Sequence, residues 1–310
     1  MDDLPGPVAL VLSGGGAQGA AQAGAAVALR RAGLVPDLII GTSVGAWNGG
    51  WLARSTSEEN ARGLLAMWLD GDVRCLFRGL VRGFVGAVAR RRIAALGDAR
   101  LRRILDRTLG GGCTFAELET PMACAAIDLL TAELVYLDSG SLADAVRAAS
   151  AIPAVLPPVE LDGRLLADAG FVDNFGVVEA LRRGARSIVL IDASVGQLDR
   201  APHSIPSMLD RANLVTRIHQ RQQASAAAEA AGAPLAILEV AGNGGVLDFK
   251  SAAGQLAYGR EVAERWLAGA GATAAWRRAA VAGEADAGAL DVAGRPVRPH
   301  RDVAGQLVPA

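Results

Sequence analysis

A chain of 310 residues, 51% hydrophobic and 20% charged, has apolar material for one large core or two modest ones, which excludes a disordered or fibrous protein. Its 31 Lys and Arg against 32 Asp and Glu leave a net charge of −1, so no overall field gathers nucleic acid. Three scattered cysteines, Cys75, Cys113 and Cys124, lack metal-ligand spacing and fit a reducing compartment; the acidic start Met1-Asp2-Asp3 lacks the basic residues of a secretion signal, and no segment approaches the roughly 20 apolar residues of a membrane span. The expectation is a soluble, cytoplasmic protein without metal or organic cofactor and without a nucleic-acid partner.

Val8-Ala9-Leu10-Val11-Leu12 is a continuous apolar run of strand length, as in a strand buried on both faces of a parallel sheet. It runs into Ser13-Gly14-Gly15-Gly16-Ala17-Gln18-Gly19 and an alanine-rich stretch to Arg31, which reads as strand, glycine loop and helix. Two uses of the loop compete. Gly14, Gly16 and Gly19 fit the dinucleotide fingerprint G-x-G-x-x-G, which seats a pyrophosphate on the helix N-terminus, but that fingerprint also wants an acid at the end of the second strand. Here the second strand ends Ile39-Ile40-Gly41, and Asp37 precedes it. The other use is to offer amides to an oxyanion formed beside the next strand.

That strand, Leu38-Ile39-Ile40, leads into Gly41-Thr42-Ser43-Val44-Gly45, the pattern G-x-S-x-G. A strand that turns sharply into a helix strains its corner residue, and small residues two before and two after give the turn room. Gly41 and Gly45 stand at those places, so Ser43 is the candidate nucleophile, with the Val44 amide among the oxyanion donors. The bland alternative is a turn that caps a helix.

Residues 57–70 read as a helix capped by Ser57, with Glu58 and Glu59 in its first turn. From 74 to 107 ten arginines stand against Asp98 and Asp106, a local balance of +8. Phe77, Leu80, Val81, Phe84, Val85 and Val88 repeat there at helical spacing, with Arg74, Arg78 and Arg82 as a second stripe. An apolar face beside a basic one suits a peripheral contact with an anionic membrane; the competing reading packs the apolar face on the core and leaves the arginines to solvent. Beyond Gly110-Gly111-Gly112, strands over 121–126 and 133–137 form a hairpin, and 142–150 is an amphipathic helix. Three prolines between Ile152 and Val159 enforce an extended path, which passes a turn at Asp162-Gly163 and arrives, through Leu165-Leu166-Ala167, at Asp168-Ala169-Gly170. Further strands over 187–192 and 235–240 alternate with helices over about 206–231 and 249–267, and the proline-rich segment 281–310 reads as a disordered tail.

Gly14 to Gly19, Gly41 to Gly45, Ala149-Ser150-Ala151-Ile152-Pro153 and Asp168-Ala169-Gly170, in this order, resemble the patatin-like phospholipase family over about residues 8–270, most strongly up to Asn174. The resemblance implies a three-layer α/β/α fold with a mostly parallel central sheet, a motif-bearing core over 8–180 and a basic helical cap inserted at 74–107. It implies a carboxylic ester hydrolase acting on a lipid or fatty-acyl ester through a Ser43–Asp168 dyad. Gly14, Gly15 and Gly16 supply the oxyanion hole, and Gln18, Gly19, Gly41, Gly45, Ala169 and Gly170 support the motifs. Gln18 stands where the family usually has Arg or Lys, Ala169 replaces a glycine, and Gly176 sits where a proline is common.

A serine attacks an ester only if a base within about 3 Å takes its proton. The histidines His203, His219 and His300 follow neither a strand end nor a glycine turn. That leaves a carboxylate, a better base where desolvated. Asp168, among small uncharged neighbours, is the candidate; Asp162 reads as a turn residue, Asp192 as a structural acid and Asp173 as an outer partner. The alternatives are an α/β-hydrolase with a Ser-His-Asp triad, a nucleotide-binding protein and a catalytically silent lipid-binding protein.

Overall fold

In a computed structural model, which describes residues 4–194, 201–242 and 248–269, the apolar runs become one eight-stranded sheet. The elements in chain order are β1 (Val8–Leu12), α1 (Gly19–Arg31), β2 (Leu38–Thr42), α2 (Val44–Ala53), α3 (Glu58–Leu69), α4 (Gly71–Arg74), α5 (Leu80–Ala89), α6 (Ala99–Leu105), β3 (Met122–Asp128), β4 (Leu134–Leu137), α7 (Leu142–Ala149), β5 (Val159–Leu161), β6 (Arg164–Asp168), α8 (Val177–Arg182), β7 (Ser187–Asp192), α9 (Ile205–Ala230), β8 (Leu235–Glu239) and α10 (Ala252–Ala268). The sheet order is β5-β6-β3-β2-β1-β7-β8, with β4 also paired to β3. β3, β2, β1, β7 and β8 are parallel, whereas β4, β5 and β6 join one end antiparallel, so the parallel reading holds for five of the eight strands.

The layers follow from side-chain alternation along the strands. Leu10, Leu12, Ile39 and Ile191 face one core with α1, α2, α3, α7 and α10, while Val11, Ile40, Ile188 and Leu190 face another with α8 and α9. Strands covered on both sides must be apolar throughout, hence the unbroken runs. α1 is sunk so deeply that alanine is nearly all it can carry: a β-carbon on Gly259 of α10 would overlap the Ala21 carbonyl. The Ser57 side chain accepts from the Asn60 amide at 3.1 Å, starting α3 as its sequence indicates.

Two expectations change. The region 74–107 is not one helix: Gly79, left-handed at φ 90°, separates α4 from α5, and a further break precedes α6. Arg74 and Arg82 therefore lie on different helices, and the stripe Arg74, Arg78, Arg82 does not exist as a single face. The proline segment is not straight; Val155 and Leu156 both donate to Ile152 O, making a turn at 152–156. The tail 281–310 lies outside the described residues. Among the described residues no helix is long and apolar enough to cross a membrane, and the three cysteines are free.

Candidate active site

Three loops meet at the carboxyl ends of β1, β2 and β6. Parallel pairing of Leu12 with Gly41 brings the glycine loop and the Ser43 corner out side by side. β2 pairs with β3 at Thr42 and Ala125, and β3 pairs with β6 at Ala126 and Asp168. Ser43 and Asp168 therefore leave strands two apart, with alanines of β3 between them, and small side chains there leave room for the two to meet.

Ser43 has φ 54° and ψ −125°, a strained conformation for a non-glycine residue that costs about 1–3 kcal/mol. The surroundings enforce it: a β-carbon on Gly41 would lie 2.6 Å from Ala46 Cα, and one on Gly45 would overlap the Leu12 carbonyl. Both flanking glycines are thus sterically required. Gly19 has the same cause, because its missing β-carbon leaves room for the Trp68 ring.

The Asp168 carboxylate accepts from the Gly170 amide at 2.8 Å, and the Ser43 side chain lies near enough to it to favour its ionised form. Asp168 is 5% exposed. Burial raises its carboxyl from the ordinary 3.8 to about 6; the nearby Ser43 side chain, the hydrogen bond from the Gly170 amide and the positive charge of Arg217 oppose that rise. Arg217 is held on α9 by donating to Ser194 O at 3.4 Å. Behind Asp168, the Ala151 carbonyl accepts from its amide at 3.1 Å, so the turn after α7 fixes the end of β6.

Asn174, which sequence reasoning gives no role, clamps the glycine loop. Its Oδ1 accepts from the Gly14 amide at 3.0 Å and its Nδ2 donates to Gly14 O at 3.4 Å, while its own amide donates to Gln220 of α9 at 3.3 Å. A Gly14 amide bound to Asn174 is withdrawn from the oxyanion set expected for Gly14, Gly15, Gly16 and Val44. Among the described residues no protein acceptor takes the amides of Gly15, Gly16 and Val44. The loop lies against Ser43; a β-carbon on Gly14 would come 3.1 Å from Ser43 Cβ. Asp37, the acid nearest to a dinucleotide signature, binds the Val8 amide at 2.7 Å, at the amino end of β1 and away from the loop.

The family departures have local explanations. Gln18 makes a two-way clasp with the Gly242 backbone, its Oε1 accepting at 3.2 Å and its Nε2 donating at 3.5 Å, so it ties the loop after β8 to the glycine loop. Ala169 is buried with an ordinary negative φ, so no glycine is needed. Gly176 has φ 61°, which proline cannot adopt. Asp173 is held by the Tyr136 hydroxyl at 2.7 Å and by the amides of Phe175 and Gly176, an anchor for the loop that carries Asp168. Asp162 is a turn residue at φ 49°, and Asp192 is buried at the end of β7, bonded to Ser194 and Arg221. His203 and His219 are exposed, and His300 lies outside the described residues.

Beside Ser43 a narrow apolar pocket runs between Trp47, Phe77, Leu101, Ile152, Leu156 and Phe249. Two rings of its lining, Phe77 and Phe249, are tilted together at 5.2 Å between centres, and behind them the buried Trp68 stacks on Phe249 at 5.7 Å and is tilted against Trp47 at 6.2 Å. The indole N–H groups are satisfied, Trp47 by Thr108 at 3.1 Å and Trp68 by Asn48 at 2.9 Å, so the pocket offers apolar ring surface.

A family model described as patatin-like phospholipase matches residues 10–181, more than half of the chain. The chain belongs to the patatin-like phospholipase family. An uncharacterized NTE family protein of Mycobacterium bovis is 37% identical over 168 residues, covering 54% of this chain and 43% of that protein. Lysophospholipase NTE1 of Lodderomyces elongisporus is 28% identical over 204 residues, 62% of this chain and 13% of that protein. This patatin-like chain thus spans less than half the length of these curated relatives. Among solved structures it is similar to VipD from Legionella pneumophila, with 16% identity and a TM-score of 0.48 over 85% of this chain and 67% of that one.

Proposed function

We propose that the chain hydrolyses lipid or fatty-acyl esters through an acyl-Ser43 intermediate, with Asp168 as general base, in a patatin-like domain lying within 8–270. The observation that carries this reading is the placement of Ser43, on its strained corner, beside a buried carboxyl raised to about 6. At pH 7 such a group is mostly carboxylate, yet it is a stronger base than an ordinary aspartate. Ser43 Oγ attacks the ester carbonyl carbon while Asp168 takes its proton. The carbonyl oxygen becomes an oxyanion, met by the amides of Gly15, Gly16 and Val44. The intermediate collapses, Asp168 returns the proton to the leaving alcohol, and the acyl group stays on Ser43. Water then repeats the sequence: Asp168 takes a proton, hydroxide character develops at the acyl carbon, and the acid leaves as Ser43 recovers its proton.

The substrate class follows from the apolar pocket, which suits an acyl chain, and from the name of one relative, a lysophospholipase, which suits a single-chain lipid. None of these steps calls for a metal or organic cofactor. The test is a fluorophosphonate probe, which labels only an activated serine: wild type labels and turns over a nitrophenyl ester, and Ser43→Ala does neither. Labelling that survives in Ser43→Ala refutes the assignment.

A further inference from the structure

We infer that the outward face of α5 is a docking surface for an anionic lipid bilayer; this rests on the lipid-ester reading of Ser43 and supplies the means by which the site reaches its substrate. α5 is apolar on two sides. Leu80 and Ala87 are buried, and Gly83 sits so close to the Ala95 carbonyl that a β-carbon would overlap it, so 80, 83 and 87 form the inward face. Val81, Phe84, Val85 and Val88 recur at i, i+3, i+4 and i+7 on the other, and they are 79%, 39%, 69% and 81% exposed. A helix apolar all round belongs inside a protein or a membrane, yet among the described residues nothing covers this side.

Charge decides what covers it. Arg78, Arg82, Arg90, Arg91 and Arg92 flank the face, all exposed, and among the described residues none has a carboxylate partner. Nearby, Arg107 is matched with Asp70 and Asp72, and Asp98 with Arg147, while Arg74 and Arg100 bond to the carbonyls of Lys250 and Cys75. A second copy of the chain docking through the same face would set arginine against arginine across a twofold axis. An anionic bilayer offers acyl chains to the valines and Phe84 and phosphates to the arginines. Placement agrees. Phe77, just before α5, lines the pocket beside Ser43, and just after α5 the amides of Ala95 and Leu96 donate to Ala154 and Val155, in the turn that carries Ile152 and Leu156 into the same pocket. Both ends of the docking helix are therefore joined to the pocket wall, so a lipid taken up beneath α5 has an apolar path to the serine.

The experiment is flotation of the full chain with vesicles of phosphatidylcholine alone and of phosphatidylcholine with phosphatidylglycerol in equal amounts, at low and high salt. Wild type and Ser43→Ala both float with the anionic vesicles and much less with the neutral ones. The triple variant Arg90→Gln, Arg91→Gln, Arg92→Gln loses on the order of a hundredfold in partitioning at low salt, at about fivefold per charge. Phe84→Asp abolishes flotation. Both variants keep wild-type turnover of a water-soluble ester, which shows that they are folded. Flotation without dependence on lipid charge, flotation unchanged in both variants, or no flotation of a wild type active on the soluble ester overturns the proposal. So does a wild-type dimer on gel filtration that Phe84→Asp dissolves. A chain that floats as described but labels with no fluorophosphonate refutes the hydrolase reading and leaves the docking surface standing.

Discussion

Replacing Asp168 by asparagine removes the base at nearly constant size and separates catalysis from stability. The carboxyl is raised from 3.8 to about 6, chiefly by burial, so in the folded chain it holds its proton more tightly than in the unfolded one. The sign follows: folding stability from this group is full below about pH 3.8, falls as pH rises, and falls no further above about pH 6. At about 1.4 kcal/mol per pH unit over that interval, the ionised group costs about 3 kcal/mol at neutral pH. The carboxamide of the Asp168→Asn variant cannot ionise. Urea unfolding of both proteins from pH 4 to pH 8 should therefore show Asp168→Asn gaining on wild type by about 2.4 kcal/mol between the ends of the range, with other carboxylates cancelling in the difference. Over the same range wild-type kcat/KM on a soluble ester should rise tenfold per pH unit below about pH 6 and level off above it, while Asp168→Asn loses about 10²- to 10⁴-fold at pH 8. A stability difference flat with pH refutes the buried, elevated carboxyl, and an Asp168→Asn enzyme of near wild-type rate refutes its role as base.

Asn174→Ala frees the Gly14 amide and unpins the glycine loop, so kcat should fall by about 10²-fold with KM little changed, as expected for displaced oxyanion donors; initial-rate kinetics decide. Gln18→Ala should lower kcat and leave fluorophosphonate labelling slow but detectable, because the nucleophile is intact while the clasp to Gly242 is lost. Gly176→Ala should cost at least about 1–2 kcal/mol in urea unfolding, since a left-handed φ strains any side chain. Its β-carbon would also lie 2.5 Å from Ile40 Cγ2, while activity per folded molecule should hold.

What the sequence reveals and what it hides divide along the range of the interactions involved. β1, β2 and β7 are legible because a strand covered by helices on both faces must be apolar at every position, so the pattern is local. Ser43 is legible for the same reason: the two glycines that a strained corner needs lie two residues either side of it. Asp168 comes from a resemblance, since its basicity depends on burial that its neighbours in sequence only suggest. Asn174 stands 160 residues from the Gly14 it clamps, and Phe249 reaches the pocket from a loop beyond β8; neither carries a local signature.

The region 74–107 shows a different failure. Its periodicity is real, but period alone does not say which side faces the core, and Gly79 resets the phase between Arg74 and Arg82. A glycine at left-handed φ inside an otherwise regular pattern turns one stripe into two unrelated ones, so arithmetic groups the arginines at 74 and 82 where the backbone does not. The exposed valines of α5 then acquire a meaning that an unbroken stripe conceals: Leu80, Gly83 and Ala87 already satisfy the core, and the second apolar face is surplus to folding. Surface that folding does not need, bordered by cations without carboxylate partners among the described residues, is where a requirement outside the chain is written into it.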